Sequence, residues 1–486
     1  MFFNRVNAKY LVILLTIGSI LVGACIANAA KNKNAPKPFG VTPTAAQLSW
    51  QEMERNAFIH FGMNTFTDRE WGDGKEDPKL FNPTGLDCRQ WARTIKQAGM
   101  KGIVFTTKHH DGFCLWPSKY TEHSVKNSHW RNGKGDVVRE LSDACKEYGL
   151  KFGIYLSPWD RHEPTYGTEA YNTYFKNQLT ELLTNYGDIF EVWFDGEGDA
   201  MDCDWVGIFS LVRKLQPNTV IMGVPGCDVR WAGSEHGASS PTHWHTLNVG
   251  DVLKHKKGKD LTPAELQLGH KGGKYWVPAE HDNSIRTRWF YHPSDDGRAH
   301  SLETLIDLYD RLVGTGGVWL LNFAPDTQGL IPEYDAKRAL ELGKVISKTY
   351  EINIAKGAKA SSKQTRRGKG FSPSNLLDGN TKNYWTTDDG VTQGAVEIDL
   401  GKKKVFNRIV LQEYIKLGQR VEKFAIDTMV DGNWQELIKG TTIGYKRILR
   451  VDNMSAKRLR LRIDKSMACP VLSEFGLYKA AIQQNR

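Results

Sequence analysis

Phe190-Glu191-Val192-Trp193-Phe194-Asp195-Gly196 is a short, mostly apolar run that stops on an acid and a glycine. Such a run predicts a strand covered on both faces, with Asp195 delivered at its C-terminal end. The same grammar recurs upstream. Ala57 to Phe61, Gly102 to Phe105 and Phe152 to Leu156 are earlier apolar strands. Leu86 to Ala98, Val137 to Tyr148 and Tyr174 to Tyr186 space apolar residues helically and meet Gly99, Gly149 and Gly187, each a natural helix stop. Downstream, Val220 to Val224, Tyr275 to Pro278 and Val318 to Asn322 extend the set of strands.

Alternating strand and helix means an α/β fold, as a barrel or an open sheet. No GxGxxG or GxxxxGK[ST] loop follows the first strand, which argues against a nucleotide-binding sheet. Polar residues instead cluster behind the strands: His60, His109 and His110, Tyr155 with Trp159, and Asp195. In a barrel those ends converge on one face. The expected fold over residues 45–350 is therefore a (β/α)8-like TIM barrel, with the polar stretch 237–273 as a lid or a substrate-facing insertion.

Beyond Lys348 short strands alternate with turns: Ala395 to Leu400, Arg408 to Gln412, Lys423 to Val430, Ile448 to Val451, Arg458 to Ile463 and Ser473 to Lys479. Residues 351–480 read as an antiparallel β-sandwich. At the other end, Arg5 and Lys9 precede an apolar run from Tyr10 to Ala24, the layout of a signal peptide over residues 1–29. Ala27-Asn28-Ala29 would release a soluble periplasmic or secreted protein. Val22-Gly23-Ala24-Cys25 would instead leave a lipidated Cys25 and a surface or outer-membrane lipoprotein. Residues 30–44 follow as a flexible start or tether.

The chain has 486 residues and a net charge of +10. Its basic runs, Lys254 to Lys259, Arg366 to Lys369 and Lys402 to Lys404, lie in loop-like settings with no nucleic-acid motif, so no nucleic-acid partner is expected. The seven cysteines, Cys25, Cys88, Cys114, Cys145, Cys203, Cys227 and Cys469, contain no CxxC pair and suggest neither zinc knuckle nor disulfide framework. Cys88 and Cys145 fall in helical patterns and read as buried thiols. Fifteen tryptophans suit either a large core or a protein that stacks sugar rings.

Cleaving a glycosidic bond takes two carboxyl groups flanking the scissile bond. Asp195 is the candidate for one of them. Glu197 competes with it, and the bland reading of Asp195 is a helix N-cap. For the proton donor, Glu235 in Arg230-Trp231-Ala232-Gly233-Ser234-Glu235-His236-Gly237 and Glu280 in Val277-Pro278-Ala279-Glu280-His281-Asp282 both stand beside aromatic and small residues, and spacing does not choose between them. His109-His110-Asp111 invites a metal, but adjacent histidines on a strand end diverge, and no H-x-H or HExxH spacing supports one. Neutral imidazoles bonding sugar hydroxyls fit better. A serine hydrolase is disfavoured by the lack of a G-x-S-x-G elbow.

Taken together, residues 57–64 (AFIHFGMN), Glu70-Trp71-Gly72, Thr107 to Phe113 (TKHHDGF), Gly153 to Trp159 and Trp193-Phe194-Asp195-Gly196 resemble the α-L-fucosidases of glycoside hydrolase family 29, in the family's order. That resemblance covers about residues 45–345. It implies retaining removal of terminal α-linked L-fucose, with Asp195 as nucleophile. It also implies a pocket of His60, Glu70, Trp71, His109, His110, Tyr155 and Trp193, with Arg230 and Trp289, and no metal. Trp71 and Trp289 would pack against the C6 methyl group of fucose.

The proton donor it implies is Glu235, in a pattern similar to Trp-x-Gly-Asn-Glu-x-Gly. That pattern belongs to the branch acting on α-1,3/4-linked fucose of branched, Lewis-type glycans. Ser234 stands where that branch usually has Asn, and Arg288 where it usually has Gly. The segment Asn375-Leu376-Leu377-Asp378-Gly379-Asn380, with Trp385, resembles discoidin (coagulation factor C-type) sandwiches, which implies either a carbohydrate-binding module or a structural buttress, and Asp378 and Asn380 suggest a structural Ca2+. No organic cofactor is expected, and the expected partners are fucosylated oligosaccharides or glycoconjugates. Two other readings stand beside this one: a related glycosidase for another deoxy or galacto-configured sugar, and a non-catalytic glycan-binding protein.

Overall fold

The structure is a computed structural model that describes residues 34–196, 203–223, 226–248 and 261–480. The leader with Cys25, Glu197, Val224 and the Lys254 to Lys259 run lie outside the described residues.

Strands β1 (Arg55–Ile59), β2 (Gly102–Lys108), β3 (Lys151–Leu156), β4 (Ile189–Trp193), β5 (Val220–Met222) and β6 (Arg230–Trp231) follow one another around a barrel. After β7 (Thr246–Leu247) and β8 (Tyr275–Trp276), the strands β9 (Ala279–Ser284) and β10 (Val318–Phe323) return the sheet to β1. Neighbours within the barrel pair in parallel. An isolated parallel bridge, Met222 to Val229, draws β5 towards β6, so the eight-stranded barrel is nearly closed.

Burial explains the apolar runs. One set of strand residues, including Ile103, Phe105, Ile154, Val192 and Leu321, packs outward against helical Trp91, Ile95, Leu141, Leu179 and Leu342. The alternate set, Phe58, Val104, Tyr155, Trp193, Met222, Val318 and Leu320, fills the barrel interior. The helices start where the sequence offers caps. Asp87 accepts from the N–H groups of Arg89 and Gln90 ahead of helix Cys88–Gln97, and Asp136 from that of Arg139 ahead of helix Val137–Tyr148.

Two expectations about the later barrel are corrected. Tyr275-Trp276 is not a barrel strand, because β8 pairs antiparallel with β7 outside the barrel. The barrel strand is the next segment, β9, whose six residues Ala-Glu-His-Asp-Asn-Ser are all buried. Its polar side chains hide it from a search for apolar runs. The sixth strand, Arg230–Trp231, is too short to register as a period.

The C-terminal unit is a seven-stranded antiparallel sheet: β11 (Lys359–Ser361), β12 (Trp385–Thr386), β13 (Gly394–Glu413), β14 (Val421–Val430), β15 (Asn433–Gly440), β16 (Arg447–Ser466) and β17 (Val471–Tyr478). The strands expected over 395–400 and 408–412 are one 20-residue strand, as are those over 448–451 and 458–463. Register shifts at Asp399/Lys404 and Phe406/Arg408 absorb the polar stretch that read as a turn. The core beneath includes Trp385, Phe406, Leu461 and Phe475. Asp378 Oδ1 accepts from Asn380 N at 2.7 Å, its Oδ2 from Asn383 Nδ2 at 2.8 Å, and Asn380 Oδ1 from Lys382 N at 3.1 Å. These N–H donors hold the loop as a turn.

The two units are tightly joined. Asp310 Oδ2 accepts from both Arg408 Nε and Arg450 Nε at 2.8 Å, while Tyr350 bonds its other oxygen. Part of the stretch expected to be a lid serves this joint. Gln419 bonds His243 O at 2.8 Å and His245 N at 2.9 Å, and Thr442 Oγ1 accepts from His243 N. Cys88, Cys114, Cys145, Cys203, Cys227 and Cys469 are all free thiols, with Cys88 and Cys145 buried.

Candidate active site

The C-terminal ends of the barrel strands carry the site. His60 follows β1, His109 and His110 follow β2, Tyr155 lies near the end of β3, Asp195 follows β4, and Glu235 sits in the loop after β6. The loop after β9 supplies Trp289. Asp195 keeps 21 % of its side chain exposed. Its Oδ2 accepts from Tyr155 Oη at 2.8 Å and lies 3.8 Å from His110 Nε2. The next described helix, Trp205–Leu215, is capped by Asp204, whose Oδ1 accepts from Gly207 N.

A chain of rings lines the site. His60 lies 5.1 Å from Trp289 and 5.7 Å from His109, centroid to centroid. His109 stacks on Tyr155, which stacks in turn on Trp193 at 5.4 Å. Trp71, 50 % exposed, stands edge-on to both His110 and Trp159.

The imidazoles are neutral. Burial pushes His60 down to about 3 and His109 well below its ordinary value. Burial, then Arg161 and Lys108, push His110 down to about 3. Hydrogen bonds fix which nitrogen carries the proton in two of them. Asn322 Nδ2 donates to Ser284 Oγ and Trp289 O, so its Oδ1 accepts from His60 Nδ1 at 2.8 Å and leaves Nε2 to accept a hydroxyl proton. Asn64 Nδ2 faces His109 Nδ1 at 3.4 Å, which makes Nε2 of that ring the donor. Acceptor and donor imidazoles side by side suit hydroxyls on a sugar ring. The third member of the His109-His110-Asp111 run goes elsewhere, since Asp111 accepts from Phe113 N at 2.7 Å.

Glu70 acts on its neighbours in the site. Its two oxygens accept from the N–H groups of Trp289 and Phe290, and from His292 Nε2 at 2.8 Å. That grip sets the loop on which Trp289 stands. Trp289 Nε1 points at Glu235 Oε2 at 3.4 Å. The Glu235 loop turns at Gly233, where φ is +76° and an added Cβ would sit 2.9 Å from Pro263 O. Ser234 Oγ accepts from His236 N and Ala238 N, so the serine fastens the turn. Arg288 is half exposed and faces Asp295 at 3.6 Å.

Two expected site residues are not brought to the mouth. Arg230 is buried, and its guanidinium is spent on Leu266 O, Val277 O, Trp244 O and His243. It ties down the connection between β6 and β9 instead of reaching a sugar. Glu280 is fully buried near the start of β9, where it accepts from Trp193 Nε1 at 3.0 Å. A group so enclosed has no route to a glycosidic oxygen.

Asp282 was not read from the sequence. Its carboxyl accepts from Trp231 Nε1 at 2.7 Å. Burial, with the charges of Glu235 and Asp195, pushes it up to about 7. Asn322 and Asn64 also escaped notice, although Asn322 at the end of an apolar strand was a legible signal.

Under the site, Lys108 Nζ meets Asp160 Oδ2 at 2.7 Å with both side chains fully buried, and also bonds Gln178. Gly112, at φ +79°, leaves room for this pair, since a Cβ there would sit 2.3 Å from Asp160 Oδ1. Replacing Lys108 with methionine strands a buried carboxylate. Denaturant melts are expected to show a loss of about 3–5 kcal/mol, against little change in a doubly neutral Lys108→Met/Asp160→Asn variant.

Comparison with known proteins agrees with this fold. A family model described as alpha-L-fucosidase matches residues 39–351, and one described as an F5/8 type C domain matches residues 357–474. Alpha-L-fucosidase 1 of Arabidopsis thaliana is 42 % identical over 471 residues, covering 95 % of this chain and 92 % of the plant protein. A Ruminococcus gnavus GH29 fucosidase solved in complex with fucose superposes with a TM-score of 0.85 at 32 % identity, covering 93 % of this chain and 97 % of that one. A second solved structure, SpGH29, gives a TM-score of 0.87 at 39 % identity over 92 % of this chain and all of its own.

Proposed function

We propose, from the premise that the chain belongs to the α-L-fucosidase family and is a glycoside hydrolase of that activity, that it removes terminal L-fucose with retention through an ester on Asp195. The observation that carries this reading is the partly exposed carboxylate at the end of β4, held by the Tyr155 hydroxyl at 2.8 Å. Held so, Asp195 attacks the anomeric carbon while Glu235 protonates the departing glycosidic oxygen. Glu235 then takes a proton from the water that hydrolyses the fucosyl ester. His60 and His109 bind ring hydroxyls, and Trp71 and Trp289 offer apolar faces to the C6 methyl group. The reaction draws on these side chains and water alone.

For the substrate, the Trp231-Ala232-Gly233-Ser234-Glu235 loop supports α-1,3/4-linked fucose on branched glycans. Proton NMR of the first sugar released tests retention, with α-fucose expected before mutarotation and β-fucose contradicting it. A Lewis-type trisaccharide is expected to be cleaved at least tenfold faster than an α-1,2-linked fucoside. Export through the leader over residues 1–29 is also part of this reading. N-terminal analysis of the mature protein distinguishes a start at Ala30 from a lipidated Cys25.

A further inference from the structure

Interiors of such barrels are usually filled by branched aliphatic side chains. Here two carboxyls stand among them. Glu191 of β4 and Glu280 of β9 are both fully buried. They stand two residues before Trp193 and Asp282 on their strands, and therefore on the same inward row. Each receives one indole N–H: Trp50 Nε1 donates to Glu191 Oε2 and Trp193 Nε1 to Glu280 Oε2, both at 3.0 Å. The remaining oxygens, Oε1 of Glu191 and Oε1 of Glu280, have no donor of their own.

The partner missing from each is the other carboxyl: Trp193, two residues along β4 from Glu191, reaches Glu280, and the two carboxyls hydrogen-bond each other. Two carboxylates so enclosed do not both ionise. We infer that Glu191 and Glu280 share one proton between their Oε1 atoms, and that the pair is the positioning element that holds Trp193 beneath the fucose pocket. Burial pushes both carboxyls up, and the Glu191 charge adds to the effect on Glu280. Trp193 stacks on Tyr155, and Tyr155 bonds Asp195, so the pair is linked to the nucleophile through two aromatic rings. The assignment rests on the fucosidase reading, because it gives Glu280 a part other than proton donor to the substrate.

Two variants and one spectrum test it. In Glu280→Gln the amide N–H replaces the shared proton and the amide oxygen still accepts from Trp193, so kcat/KM on 4-nitrophenyl α-L-fucoside is expected to fall by no more than about threefold. In Glu191→Met/Glu280→Met both carboxyls go together and no buried charge is orphaned. Trp193 loses its acceptor there, and KM is expected to rise about tenfold or more with kcat changed far less. Infrared spectra at pH 7 are expected to show a protonated-carboxyl band in the wild type that is lost in Glu280→Gln.

The inference is overturned if that band is unchanged, if the double variant folds with an unaltered KM, or if Glu280→Gln loses kcat chiefly on poor leaving groups, as a proton donor would. The infrared arm needs no turnover and holds if the double variant fails to fold. A wild type inert on fucosides would sink the functional reading while leaving the shared proton to be judged by its band.

Discussion

Asp195→Ala is expected to lower kcat/KM on 4-nitrophenyl α-L-fucoside on the order of 10^4-fold or more, which at about 1.4 kcal/mol per decade is at least about 5.5 kcal/mol of transition-state stabilisation. A good leaving group does not soften the loss, because the substitution removes the atom that bonds to the anomeric carbon. Stability should change little. Asp195 is partly exposed, and the Tyr155 hydroxyl that loses its acceptor lies next to the same opening. A thermal melt within a few degrees of wild type beside a dead enzyme separates chemistry from folding. A modest loss shared by kcat and stability would point to a structural role instead.

Glu235→Ala is expected to divide substrates by leaving group. A 4-nitrophenolate departs with little protonation, so cleavage of the aryl fucoside should survive within about tenfold, whereas a fucosylated oligosaccharide should lose about 10^2–10^4-fold. Added azide should restore turnover and yield a fucosyl azide, since the anion attacks the ester without needing a base. Glu280→Ala is not expected to share this signature, because Glu280 is sealed in the barrel interior against Trp193. If the alanine at 280 showed azide rescue and the one at 235 did not, the assignment would be reversed.

The fold was legible wherever burial leaves a periodic trace. Strands β1 to β4 are covered on both faces and read as apolar runs, and helix stops at Gly99 and Gly149 marked the spaces between them. Legibility failed where a strand carries the site's own polar groups. The β9 sequence Ala-Glu-His-Asp-Asn-Ser is fully buried, yet only Ala279 in it is apolar. The C-terminal sheet failed differently. Lys402 to Lys404 reads as a turn, but in β13 the chain runs through it with a register shift.

The site divides along similar lines. His60, His109, His110, Tyr155 and Asp195 follow strand ends, so barrel topology alone brings them together. Arg230 was expected there on resemblance, but an arginine on a two-residue strand with four acceptors around it is fixed by those contacts. Asp282 and the Glu191–Glu280 pair could not be read from spacing. Their meaning lies in which carboxyl faces which across the barrel, and no local pattern records that.

The central claim is a covalent fucosyl ester on Asp195, and trapping it is the most direct test. A 2-deoxy-2-fluoro-L-fucosyl fluoride slows both steps by destabilising the oxocarbenium-like transition state, and its good leaving group lets the ester form faster than it hydrolyses. Peptide mass spectrometry of the inactivated protein is predicted to place one fluorofucosyl group on Asp195. A label on any other carboxylate, or none together with release of β-fucose from ordinary substrates, would contradict the account.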